Sequence, residues 1–295
     1  MVVKKIHDGR MFIMCDDYVT IPNQIRYYKE LSHIDKYKSN IPKDIIGHND
    51  HCLSFNAENL EFSYDTLDIQ KVINKSLALI NKFRSCKVSE VVKQPQPDLE
   101  KAYYDFMKGM IIDNKNHSKP YKTWIVNGET LIDLFNTKMY MNLLKVIKER
   151  LNNYKPVVSH GNMYLDNLAN QDNNLIIINP KTDFGNGVSV LGDPRCDIAK
   201  MRIYASNVMK SIVENRFSVI ENHDNVYSYT IYSDVYFNNM LKYLDDKLKV
   251  YDIDFYEILL FQASLYTAYI GKMKSADQKK ILYFEALKIF NEILM

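Results

Sequence analysis

Along this chain the spacing of apolar positions changes character once. Up to residue 64 they form short β-rich runs, MVVKKI, RMFIMC, HCLSFNA and NLEFSY, separated at His7-Asp8-Gly9 and at Glu58-Asn59. An Asp-Gly pair between two such runs predicts a hairpin. Between the second and third runs, Thr20 and Pro22 start a helix through NQIRYYKEL, because proline fits a first helical turn and Ile25, Tyr28 and Leu31 lie at helical spacing. From Asp65 the period becomes helical. Ile69, Val72, Ile73, Leu77, Ile80 and Phe83 recur at intervals of three and four, predicting an amphipathic helix over 66–84. Gln94-Pro95-Gln96-Pro97 breaks the pattern, and Asp98 caps a new helix across LEKAYYDFMKGMI. Further helices are expected at about 137–151, 194–215, 234–249, 253–273 and 276–293, with YSYTIY as a strand before the last three. There is no internal repeat and no low-complexity linker.

This order of elements predicts an α+β protein with a small β-rich N-terminal lobe, residues 1–65, and a large helical C-terminal lobe, residues 66–295. A hydrophobic fraction of 46% supplies ample core for both lobes. The net charge of +2, with no long run of one sign, gives no nucleic-acid surface. Cys15, Cys52, Cys86 and Cys196 are scattered, no signal peptide opens the chain, and apolar runs such as Leu175–Ile178 and Ile258–Phe261 are far too short to span a membrane. A reduced, cytoplasmic protein without a membrane span is expected. His48, His51 and Cys52 lack a second pair of ligands at zinc spacing.

The candidate chemistry lies in 157–200, VVSHGNMYLDNLANQDNNLIIINPKTDFGNGVSVLGDPRCDIAK. A short apolar strand runs into a polar turn at His160. A second strand, Leu175–Ile178, ends in Asn179, and Gly192-Asp193-Pro194 opens a helix, with Asp193 as its cap. Polar side chains at the ends of buried strands are fixed by the strands and left accessible by the turns.

His160-Gly161-Asn162 with Asn167 five residues on, the strand ending in Asn179, and Gly192-Asp193-Pro194-Arg195-Cys196-Asp197-Ile198-Ala199 resemble, in order and separation, the core of the aminoglycoside phosphotransferase and choline kinase family. That family has the two-lobed protein-kinase-like fold, and its pattern reads H-G-D-x-x-x-x-N, then a strand ending in Asp, then G-D-x-x-x-D-L-A. The run from Ile178 through Pro180-Lys181 to Phe184-Gly185 is most similar to the phosphotransferase-type proteins of capsular and other surface polysaccharide synthesis.

Phosphoryl transfer uses Mg²⁺ to bridge phosphate oxygens, a carboxylate and a carboxamide to hold the metal, and a second carboxylate to take the proton of the attacking hydroxyl. The resemblance assigns the carboxamide to Asn167, which matches the family. It puts the base at Asn162 and the principal metal ligand at Asn179, where this sequence has amides in place of carboxylates. An amide keeps the shape but carries no charge and accepts no proton at neutral pH. His160 and Asp197 take the structural role of bracing the turn. Asp183-Phe184-Gly185 spells a metal-binding tripeptide of protein kinases, but lies beyond Pro180 and out of register with Asn167, so Asp183 is at most a substitute metal ligand, as is Asp166.

The N-terminal lobe repeats the loss. The strand lysine and helix glutamate that hold nucleotide phosphates in the family fall at Met14 and Gln24, with Lys4 or Lys5 on the neighbouring strand as alternatives, and no glycine-rich loop precedes them. The resemblance implies ATP and Mg²⁺ as cofactors, and the substitutions argue against their productive use. Two readings of different class follow: a pseudokinase with a binding, regulatory or scaffold role and a small-molecule, nucleotide or protein partner, or an active ATP-dependent small-molecule kinase working through Asp183 or Asp166. A third keeps the cleft between the lobes for a ligand such as a nucleotide-sugar. Trp124, Tyr204, Tyr232 and Tyr236 are candidates for lining an acceptor pocket, with core packing as their alternative use.

Overall fold

Asp8 and Gly9 both take left-handed backbone, φ 47° and 70°, and close β1 (Val2–His7) onto β2 (Arg10–Cys15) with His7 opposite Arg10. Both central residues of a two-residue hairpin of this hand need positive φ, which Asp and Gly supply at low cost. The computed structural model describes residues 2–62, 69–86, 123–151, 156–181, 190–250 and 254–295. The helix expected across LEKAYYDFMKGMI, with its cap at Asp98, and Asp183-Phe184-Gly185 lie outside these residues.

The described residues group into two compact units, one of residues up to 86 with 156–197, the other of 123–151 with those from 198 onward. In the first, β2 carries helix α1 (Thr20–Ser32), a 3₁₀ turn Asp35–Asn40, then β3 (Ile46–Asn49) and β4 (Cys52–Asn56). The strands form one antiparallel sheet in the order β1-β2-β4-β3. Met11, Ile13 and Cys15 alternate inward along β2 and pack with Ile21, Leu53 and Phe55. Ala169, Ile176 and Ile178 belong to the same apolar cluster, which ties the sheet to the segment carrying the polar turn.

That segment contains β6 (Val157–Val158), β7 (Leu168–Gln171), β8 (Asn174–Ile177) and β9 (Leu191–Gly192). The short strand β5 (Glu61–Phe62) adds to β7, which pairs with β8, and β9 pairs with β6. Helix α2 (Ile69–Arg84) buries Val72, Ile73, Leu77, Ile80 and Phe83, the stripe expected from the sequence. Helix α3 (Pro194–Ser206) begins in this unit.

The second unit is mostly helical. Helix Phe255–Ile270 is buried on nearly all sides, and Ala276–Leu294 follows it from a reciprocal Ser275–Gln278 cap. Its four-stranded sheet joins Phe217–His223, Val226–Ile231, Thr123–Val126 and Glu129–Ile132 in that order. Trp124 lies in this core, donating to Asp133 Oδ2 at 2.7 Å, while Tyr232 and Tyr236 are exposed. The single helix expected over 194–215 is two, Pro194–Ser206 and Val208–Val213, because Asn207 takes left-handed backbone at φ 57° and breaks the hydrogen-bond ladder. A β-rich N-terminal part and a helical C-terminal part make this the expected mixed α+β class. No helix among the described residues is long and apolar enough to cross a membrane.

Candidate functional site

The polar turn begins at a fully buried histidine. His160 presents Nε2 to the Ile178 carbonyl at 3.1 Å, and its backbone N–H donates to Asp197 Oδ2 at 2.9 Å. The Ser159 hydroxyl donates to the same carboxylate oxygen at 2.7 Å and accepts from Gly161 N–H at 3.2 Å. The first turn of α3 is thereby fastened to the turn after β6. A buried carboxylate collecting several donors is the paired state that burial demands. Asp193 lies in the same buried layer and holds the Arg195 guanidinium, Nε to Oδ2 at 2.9 Å. Gly161 has φ 70°, and a Cβ there would run into the Lys181 carbonyl, which passes close behind the turn.

Beyond the turn the side chains of Asn162, Asn167 and Asn179 converge. Asn162 Nδ2 donates to the Asn179 carbonyl at 3.0 Å, and Asn167 Nδ2 donates to the Asn162 carbonyl at 2.8 Å. Asn179 Nδ2 reaches Asn167 Oδ1 at 3.5 Å. Asn179 follows the last residue of β8 by two and holds φ 56°, a backbone that asparagine tolerates well. Two residues of α1 four apart, and so on one helix face, meet it. Gln24 Nε2 donates to Asn179 Oδ1 at 2.6 Å, and the Tyr28 hydroxyl accepts from Asn179 N–H at 3.1 Å. Tyr27 donates to the Ser159 carbonyl at 3.0 Å. Burial pushes both phenol pKa values up, and the negative Asp197 adds to this at Tyr27.

Lys4 enters from β1. It lies opposite Ile13, on the inward side of the strand pair, and its ammonium donates to Asn167 Oδ1 and to the Asp166 carbonyl, the latter at 2.8 Å. An ammonium only donates, so the Asn167 atom it meets is the oxygen, and the orientations of the other amides follow from that one. Burial lowers the Lys4 pKa, and the nearby Asp166 partly offsets this.

The structure thus brings together Asn162, Asn167, Asn179 and Gln24, with His160 and Asp197 behind them. Met14 is half-buried on β2, out of phase with the inward Met11, Ile13 and Cys15, and the carboxylate-bearing Asp166 is exposed. Gln24 Oε1 is buried without a hydrogen-bond partner among the described residues. Met14, the expected phosphate-holding strand position, has a thioether side chain with no donor. His48 and His51 serve the sheet, bonding Ser54 Oγ at 2.8 Å and the Cys15 carbonyl at 2.9 Å. Sequence reasoning missed Ser159, Tyr27 and Tyr28. The signal for Tyr28 was its spacing of four from Gln24.

These residues do not fit a divalent metal. Asn179, the expected metal carboxylate position, carries an amide whose oxygen accepts from Gln24, and the Asn167 oxygen accepts an ammonium. Among the described residues no group of three or more His, Cys, Asp or Glu side chains is placed to hold a metal ion.

No family model matches the chain, and no curated protein sequence matches it. Among solved structures it is similar to a choline/ethanolamine kinase family protein from Mesorhizobium loti, at TM-score 0.54 and 8% identity, covering 99% of this chain and 86% of that one. It is similar to the choline kinase LicA from Streptococcus pneumoniae, at TM-score 0.50 and 9% identity, over 99% and 89% of the two chains. A type I macrolide 2'-phosphotransferase matches at TM-score 0.50 and 11% identity, over 97% and 86%. At these identities the likeness shows the fold alone, a protein-kinase-like one.

Proposed function

We propose that this protein is a pseudokinase of the small-molecule phosphotransferase type: a binding, regulatory or scaffold component that has lost metal-dependent phosphoryl transfer. We place it in the cytoplasm, beside surface polysaccharide synthesis. The observation that carries the reading is the polarity of the two substituted positions. Asn162 donates where a general base would accept, and Asn179 offers its oxygen to Gln24 Nε2 at 2.6 Å where a metal ligand would hold an ion. Loss of the base alone removes about 10²–10⁴ in rate. The similarity to choline kinases and a macrolide phosphotransferase supports a small-molecule ancestry for the site. The Ile178-to-Gly185 run motivates the polysaccharide link.

The test is turnover of ATP with MgCl₂ and a panel of choline, ethanolamine and sugar acceptors, on the wild type and on Asp183→Ala and Asp166→Ala. The expected result is no phosphate transfer or release above the buffer rate. Turnover by the wild type that either alanine variant abolishes sinks the proposal and establishes an active kinase built on that carboxylate.

A further inference from the structure

We propose that the Lys4 ammonium stands where the family's metal ion would be held and binds a polyphosphate anion directly, without a divalent cation. The inference rests on the pseudokinase reading and adds what the altered site recognises. Lys4 donates to Asn167 Oδ1, the one oxygen of the family's metal-holding set that the substitutions left unchanged. Its second N–H goes to the Asp166 backbone carbonyl at 2.8 Å. An ammonium has three donors, so among the described residues one is left for a ligand.

The charge around this cation points the same way. The amide cluster of Gln24, Asn162, Asn167 and Asn179 is neutral, and among the described residues Lys4 is the charged side chain hydrogen-bonded to it. The Asp166 carboxylate is exposed and offers Lys4 its backbone oxygen instead. The side chain of Asp197 is engaged with Ser159 and His160 behind the turn. A divalent cation approaching Asn167 Oδ1 meets an ammonium bonded to that oxygen, whose charge the nearby Asp166 carboxylate offsets only in part, and like charges at contact repel. A phosphate oxygen meets a half-buried cation that is less screened than a surface lysine. The family's site holds a metal to attract phosphate, whereas here a fixed side-chain charge is already in position.

The experiment titrates the full-length chain with ADP, read by calorimetry and thermal shift, once in EDTA and once in excess MgCl₂. A second arm titrates MnCl₂ alone by electron paramagnetic resonance. The expected Kd for ADP agrees within about twofold in the two buffers, the wild type binds no Mn²⁺, Lys4→Met weakens ADP by about tenfold or more, and Lys4→Arg retains most of the affinity. A Kd at least about tenfold tighter in MgCl₂ than in EDTA, bound Mn²⁺ in the wild type, or no ADP binding at all overturns the proposal. If Lys4→Met fails to fold, the wild-type measurements decide alone. Magnesium-dependent ADP binding without ATP turnover defeats this inference and leaves the pseudokinase reading standing. Turnover of ATP defeats that reading itself.

Discussion

Gln24 and Asn179, 155 residues apart in the chain, meet amide to amide at 2.6 Å inside the first unit. Through this contact α1 is joined to the residue beyond β8, and the link continues from Asn179 to Asn167 and from Asn167 to Asn162. Gln24, Asn179, Asn167 and Asn162 form a chain of amide hydrogen bonds. Its members hold one another in place, which gives the pair a measurable share in stability.

Gln24→Leu leaves Asn179 Oδ1 buried without its donor and is expected to destabilise the protein by about 1–3 kcal/mol. Urea denaturation monitored by circular dichroism measures this as a lower midpoint at unchanged slope. A shift below about 0.5 kcal/mol, the scale of a neutral surface change, would show that the amide pair contributes little.

Gly161→Ala meets two obstacles at once, a left-handed φ of 70° and the Lys181 carbonyl lying where the new methyl would go. The expected cost is about 2–4 kcal/mol. Gly128 provides the control, since it also has positive φ, 82°, but nothing lies near its missing Cβ. Gly128→Ala should therefore cost less than Gly161→Ala when the two thermal midpoints are compared.

Tyr27, Tyr28, Tyr229 and Tyr283 all have phenol pKa values raised by burial above the ordinary 10.0, and that of Tyr266 is pushed up to about 12. Because the folded values exceed the unfolded one, the stability that these phenols contribute is complete below pH 10 and is lost as pH rises through and beyond it. Alkaline unfolding should be steep, with several protons released together. Tyr28→Phe removes the acceptor of the Asn179 N–H, costing about 1–2 kcal/mol at pH 7, and should flatten the alkaline slope. A slope identical to wild type would argue that Tyr28 is not protected from ionisation.

Asp17 lies just before α1 and holds its first residue, accepting from Thr20 N–H at 2.6 Å and Thr20 Oγ1 at 2.8 Å. The Cys15 thiol donates to it as well, and these bonds hold its pKa well below the usual 3.8, the thiol bond contributing most. A depressed folded pKa means the stabilisation is present above pH 3.8 and fades as pH falls below it. Asp17→Ala is expected to cost about 1 kcal/mol at pH 7, with the difference from wild type shrinking in acid. Paired denaturation curves at pH 7 and pH 3 test this, and an undiminished difference at the lower pH would count against it.

The stretches that the sequence made legible are those where local pattern and tertiary environment agree. The Asp8-Gly9 turn and the stripe from Val72 to Phe83 carry their geometry in adjacent residues. The strand Phe217–His223 was not foreseen because its outer half is exposed and polar, so pairing with Val226–Ile231 rather than burial defines it. The break at Asn207 was hidden because asparagine enters left-handed backbone without the glycine or proline that usually announces a helix end. At the site, the spacing of His160, Asn162, Asn167 and Asn179 was readable, but the choice between Lys4 and Lys5 was not. It depends on which strand face meets Ile13, and the partner of Lys4 is 163 residues away.

The left-handed backbone at Asn179 has a consequence for heredity. Aspartate tolerates this conformation as asparagine does, and the codons of the two residues differ by a single base. The backbone at Asn179 therefore does not bar a carboxylate there. Close relatives of this chain therefore carry a readable record. Drift from a disused enzyme would scatter Asp and Asn at 162 and 179 independently. A need for neutrality would keep both amides, and would keep them in the company of Lys4.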